Sequence, residues 1–337
     1  MTRTRLLLLA AALVITVVVV RIVGRVDWDE VWRSLRHLEW WQAPVLAVVL
    51  LVRQVLNAWP LALYIPGVSV VRATQNDQVA ILMSTVAPPP SDLALRLSMF
   101  SSWGVPVSKG LAGTVMNTLT FYVVRFGAPA VGFALLLATG GDVGLRWADL
   151  LSVAVAAAIL IGVLLVVRSE GLAERVGRTA AGLAGRVRKG VDPQAWARAC
   201  VQFRHDIAER FRRGFPRALV VLSGMLAVDL ALLVLCLRFV GVSASEVTVV
   251  EIAIAYLFAY PFTLFPFQGI GVVDALILAA LVDAAGLDVE AAAVAGLVVW
   301  RVFTLGGPLL LGAVSLAAWR RSAAARTSSV AGPTVDR

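Results

Sequence analysis

Apolar residues run through this chain in blocks of about 20, separated by short polar clusters, and a helix of that length crosses a hydrocarbon core about 30 Å thick. Blocks of this kind cover Met1–Val23, Gln42–Tyr64, Ser108–Ala138, Trp147–Val167, Arg217–Val240, Val247–Phe265 and the apolar runs from there to Trp319. The pattern predicts an all-α polytopic membrane protein with about 7–8 transmembrane helices. Two places break it. Asp77–Val86 is too short to cross and runs into Pro88, Pro89 and Pro90, after which SDLALRLSMF restarts with Ser91 or Asp92 placed as a cap. Later, Pro261, Pro266, Gly269 and Gly271 interrupt the stretch FAYPFTLFPFQGIGVVDA. Proline removes a backbone donor, and in lipid the freed groups need protein or a water-filled cavity to satisfy them. Both breaks therefore read as re-entrant-like segments.

The two broken stretches share an order of features. Each has a proline break, a short helix with an acid, a Gly-x-x-Val turn (Gly104 to Val107, Gly286 to Val289) and a long span. In each span an arginine is followed by a proline and a glycine: Arg125, Pro129 and Gly132, then Arg301, Pro308 and Gly312. The spacings differ, so an internal repeat stays a possibility at this level. Paired interrupted segments in corresponding halves are the sequence pointer to a transport site.

The organisation expected is a single integral membrane domain over residues 1–319. Its first half is 1–167, a basic amphipathic loop follows at 168–216, and the second half is 217–319. Residues 320–337 are small and polar and read as a disordered tail. Near the N-terminus, Asp27 to Trp41 mixes charge with four tryptophans and suits an interfacial helix.

Composition sharpens this picture. The 337 residues are 60% hydrophobic and only 15% charged, against about a quarter charged in soluble domains. The net charge of +9 is concentrated, with twelve Lys or Arg against five acids from Arg168 to Arg217. Basic loops mark the cytoplasmic side. Both termini are accordingly expected in the cytoplasm, and no nucleic-acid partner is expected. Within that loop Trp196, Phe203, Ile207, Phe211 and Phe215 recur on one helical face. A helix lying on the membrane surface fits this face, and a partner-binding face fits it too. The two cysteines and two histidines are isolated, so no disulfide framework, metal site or cofactor is expected.

Charge inside the apolar runs is the candidate chemistry. An ionised side chain at the bilayer centre costs about 3 kcal/mol on insertion scales unless paired or hydrated. Arg53, Arg125, Asp229, Asp274 and Arg301 lie deep in their runs. Internal ion pairs that fix helix packing account for them, and so does a polar pocket for a lipid headgroup. Arginine suits the second role because its planar fork binds phosphate in a bidentate manner. No nucleophile elbow, metal-ligand spacing or Gly-rich phosphate loop is present in the sequence, so enzymatic activity is not expected.

PPPSDLALR from Pro88 to Arg96, PFQGIGVVDA from Pro266 to Ala275, and the arginine in the following span, Arg301, together resemble the lysylphosphatidylglycerol synthase transmembrane region, a flippase-like membrane family. The resemblance covers roughly Met1 to Trp319. This chain departs from the family pattern in three ways. The glycine and glutamate before Arg96 are absent, with Asp92 displaced; Asp274 stands where glutamate is usual; and Asn117 falls where an arginine is expected, with Arg125 two turns on. The full synthases carry a soluble aminoacyl-transfer domain after the membrane region, and lipid lysylation by this chain alone is not expected. The resemblance implies a plasma-membrane protein that binds and translocates an anionic phospholipid or lipid-linked intermediate. Arg96 and Arg301 are the expected phosphate contacts, Asp274 orients Arg301 or meets a cationic headgroup, and Gly269 and Gly271 let backbone approach the ligand. Arg125 and Asp92 complete the candidate substrate site. The alternatives are a non-catalytic membrane subunit assisting a separate lipid glycosyl- or aminoacyl-transferase, or a scaffold whose amphipathic loop recruits partners.

Overall fold

The structure is a computed structural model that describes residues 28–36, 38–88, 90–140 and 193–330, with isolated helical positions between 154 and 161. Within helices, the side chains of 193–212 and 323–330 are not described. The expected spans Met1–Val23 and Trp147–Val167 and the terminal segment 331–337 lie outside or almost outside these residues.

The described residues are helical and contain no strand. Helix α1 is Trp28–Leu35, α2 is Gln42–Tyr64, α3 is Val70–Val86, α4 is Ser91–Ser102 and α5 is Val107–Ala138. After the basic region come α6, Pro193–Phe239, and α7, Val249–Ala259, which tightens into a 3-10 turn at Tyr260–Leu264. Helix α8 is Val272–Ala285 and α9 is Glu290–Arg301; a π-helical turn at Val302–Gly306 leads into α10, Gly307–Val330. Five stretches among the described residues are long and apolar enough to cross a membrane: Gln42–Tyr64, Val107–Ala138, Arg213–Phe239, Pro266–Ala285 and Leu287–Ser322. The apolar helix Val249–Leu264 is shorter. The protein is an all-α polytopic membrane protein.

Three boundaries differ from those the pattern predicts. Helix α3 starts at Val70 rather than Asp77, because Ser69 caps it, its Oγ accepting from the Arg72 N–H at 3.3 Å. Neither Ser91 nor Asp92 caps α4: Pro90 holds the cap position, and the Ser91 hydroxyl donates to the Pro88 carbonyl at 2.6 Å. The basic region does not end before the next span. From Pro193 it is helical and continues through Pro216 to Phe239 as one 47-residue helix. The helix tolerates Pro216 because the one amide bond lost is outweighed by the regular bonds on either side.

The order of elements occurs twice and reaches further towards the N-terminus than the two sequence stretches. A span (α2; the membrane part of α6) meets a glycine at positive φ, Gly67 at 82° and Gly241 at 107°. A helix capped by Ser69 or Thr248 follows, then the break and a short helix (α4; α8). A second positive-φ glycine, Gly104 at 77° or Gly286 at 87°, leads to the long terminal span.

The chain divides into two compact units. One comprises the described residues of Met1–Val52, Ala128–Asp149 and Ala227–Gly307; the other those of Arg53–Gly127, Leu150–Leu226 and Pro308–Arg337. Each unit holds one break. In the 227–307 unit α8 packs on α7 and α9, and α1, whose Val31 is buried, packs on α9. In the 53–127 unit α3 and α4 pack against each other across the proline break. Its core gathers Ala58, Leu61, Ile65, Phe100, Met116 and Ala218.

Candidate functional site

The break in the 227–307 unit is built on a left-handed turn. Phe267 and Gln268 have φ of 53° and 56°, a conformation that costs a non-glycine residue about 1–2 kcal/mol. Gly269 and Gly271 follow at φ of 67° and 82°. A Cβ on Gly269 would stand 2.4 Å from the Phe262 carbonyl oxygen, so glycine is required there by the close approach of two backbone segments. The Gly271 N–H donates to Oδ2 of Asp274 at 2.7 Å, and the carboxylate thereby closes the first turn of α8.

Arg301 ties this turn down from the end of α9. Its Nε donates to Oδ1 of Asp274 at 2.6 Å and its Nη1 to the Gln268 carbonyl at 3.2 Å. The Gln268 side chain reaches the other way, its Nε2 donating to the Thr304 carbonyl at 3.4 Å in the π-helical turn. That turn releases carbonyls from the regular ladder, and π turns recur at functional sites. Arg301 is 8% exposed. Its guanidinium carbon lies 4.5 Å from the centroid of the Trp300 ring, which meets Tyr256 edge-on at 6.2 Å. The Tyr256 hydroxyl donates to Oδ2 of the buried Asp229 at 2.8 Å. A chain of contacts thus joins two acids through Tyr256, Trp300 and Arg301. Two buried donors in this chain, Nη2 of Arg301 and Nε1 of Trp300, have no hydrogen-bond partner among the described residues.

The break in the 53–127 unit is organised differently. Arg96 donates from Nη2 to Oδ1 of Asp77 at 2.9 Å and from Nη1 to Oδ1 of Asn76 at 3.0 Å. Asn76 returns a bond from Nδ2 to the Arg96 carbonyl, and Asn57 Nδ2 donates to the other Asp77 oxygen at 2.7 Å. Both Nη nitrogens of Arg96 are therefore engaged inside the protein. One turn of α2 away, Gln54 accepts from Nη1 of the buried Arg53 and from Gln78.

The structure brings Asp274, Arg301, Gly269 and Gly271 to one break, and it sets Arg96 at the other. Asp77, rather than Asp92, is the acid that meets Arg96; Asp92 is half-buried in the first turn of α4. The guanidinium of Arg125 lies over the rings of Phe121 and Tyr122, 4.6 and 5.8 Å from their centroids. Sequence reasoning missed Trp300, Gln268 and Thr304 around Arg301, and Asn57 and Asn76 around Asp77. A signal existed for the second group: Thr74 to Gln78 is an unbroken polar run inside a helix, and Asn76, Asp77 and Gln78 within it are buried.

The family model for the lysylphosphatidylglycerol synthase TM region matches residues 8–312. The chain belongs to this family. The match takes in both breaks and both acid–arginine pairs of this family member. No curated protein and no solved structure matches the chain.

Proposed function

We propose that this family member binds an anionic phospholipid or lipid-linked intermediate and moves it between the leaflets of the plasma membrane, with both termini in the cytoplasm. The Asp274–Arg301 pair, with Arg301 buried and Asp274 half-buried beside the unwound Phe267–Gln268 turn, carries this reading. Charge at membrane depth marks substrate pathways, and irregular backbone is tolerated there when it lines a cavity. The guanidinium supplies the phosphate contact and Asp274 holds its plane, while the two breaks act as re-entrant segments. Membership of a family described by a lipid synthase's membrane region supports a lipid as the substrate.

Native mass spectrometry of the detergent-purified protein tests the binding half of the proposal. A defined phosphate-bearing lipid retained by wild type and lost from Arg301→Ala is the expected result. Identical bulk lipid on both proteins contradicts it. Loss of a modified lipid from a deletion strain without a transport defect would instead favour a subunit that assists a separate transferase.

A further inference from the structure

We propose that Trp300 is a second ligand contact, its indole N–H donating to the same headgroup oxyanion as Nη2 of Arg301. This rests on the reading of Arg301 as a headgroup contact and names a residue that reading does not contain.

Trp300 is 2% exposed and Arg301 is 8% exposed. A buried donor without an acceptor costs about 1–3 kcal/mol, and native proteins rarely leave one, still less two side by side. Adjacent helical residues ordinarily point apart. Here the guanidinium carbon lies 4.5 Å from the indole centroid, so the two unpartnered nitrogens belong to side chains in direct contact. Both are donors only: indole has no acceptor, and the guanidinium has none either. The complementary ligand group is therefore an acceptor, and beside a cation it is an anion such as a phosphate diester. A neutral hydroxyl satisfies such a pair less well because hydrogen bonds between a cation and an anion are stronger than those to a neutral acceptor.

The Arg96 guanidinium offers no such nitrogen among its Nη atoms, since both are bonded to Asp77 and Asn76. The arginines of the two breaks are thus inequivalent: Arg96 engages both Nη nitrogens inside the protein and Arg301 engages only one. The geometry also says how the ligand arrives. Both orphan nitrogens are covered in this conformation, and the Gln268 carbonyl lies against the guanidinium. The Phe267–Gln268 turn is the expected side of entry, since Phe265, Phe267 and Ile270 around it are exposed.

The test uses the full-length protein, delipidated in detergent and titrated with short-chain phosphatidylglycerol, with the matching diacylglycerol as the phosphate-free probe. Trp300→Phe keeps an aromatic ring against Tyr256 and Arg301 but removes the N–H together with one of the two fused rings. It is expected to weaken phosphatidylglycerol binding about tenfold, the loss of one charged hydrogen bond. Benzothienylalanine placed at position 300 keeps both rings and lacks the N–H, and serves if the phenylalanine variant does not fold. Wild-type affinity in either folded variant, with binding lost in Arg301→Ala, overturns the role of Trp300 and leaves the Arg301 site standing; an ordered water satisfying both nitrogens gives this outcome. Unchanged binding in Arg301→Ala overturns both. Equal affinity for the diacylglycerol overturns recognition of the phosphate.

Discussion

Arg301 and Asp274 meet at 2.6 Å although 27 positions separate them, one at the end of α9 and the other in the first turn of α8. The pair fixes the ends of a broken segment and presents a cation at the break. These two roles separate by mutation. Asp274→Ala strands a buried guanidinium and is expected to destabilise the protein by about 3–5 kcal/mol. Asp274→Leu combined with Arg301→Met removes both charges and is expected to recover most of that loss while abolishing lipid retention. Thermal unfolding in detergent beside native mass spectrometry reads the two effects.

Arg96 holds Asn76 and Asp77 from the two nitrogens of one planar fork. Lysine keeps the charge but offers a compact ammonium on a flexible stem. Arg96→Lys is expected to cost about 1–2 kcal/mol, one of the two bonds. A full retention of melting temperature would show that the fork is not needed at this break.

Glycines at the break and in a span should respond in opposite directions to alanine. Gly269→Ala drives a Cβ to 2.4 Å from the Phe262 carbonyl at a φ of 67°, and a large destabilisation is expected. Gly127 lies inside α5 with nothing within 4 Å of a built Cβ, so Gly127→Ala is expected to stabilise by about 0.5–1 kcal/mol. Melting temperatures of the two variants check the contrast.

How much of this was legible follows from what each element depends on. Gln42–Tyr64 is read from the sequence residue for residue, and Val107–Ala138 to within one residue, because uninterrupted apolar length alone determines a span. The start of α3 was misplaced because Asn76, Asp77 and Gln78 look like a polar edge. They are instead interior positions whose side chains are turned towards Asn57, Arg96 and Gln54. Both breaks were legible from proline and glycine. Their wiring was not: Asp77 pairs with Arg96 across 19 positions where Asp92 is nearer in sequence, and no local periodicity encodes that choice. Trp300 gave no signal at all, since a tryptophan in an apolar run reads as core.

A pH response is expected outside the membrane-spanning helices, in the turn that joins α6 to α7. The Ser243 N–H donates to Oε2 of Glu246 at 2.8 Å, and this bond, helped by the Ser243 side chain and then by Arg238, holds the Glu246 carboxyl below its usual range. A carboxyl lowered in the folded state contributes stability above its unfolded value and loses that contribution as pH falls through the lowered one. Wild type should therefore melt above Glu246→Gln at neutral pH, and the difference should shrink to nothing in acid. A difference that persists undiminished in acid would mean that the carboxylate is not the stabilising form.

Translocation is the claim on which the account turns. Proteoliposomes carrying phosphatidylglycerol with a fluorescent headgroup-proximal label in the inner leaflet, treated with an impermeant quencher, report its arrival outside. Wild type is predicted to quench inner-leaflet label well above protein-free vesicles, and folded Arg301→Ala to fall to that background. Equal rates in wild type and Arg301→Ala would contradict the account.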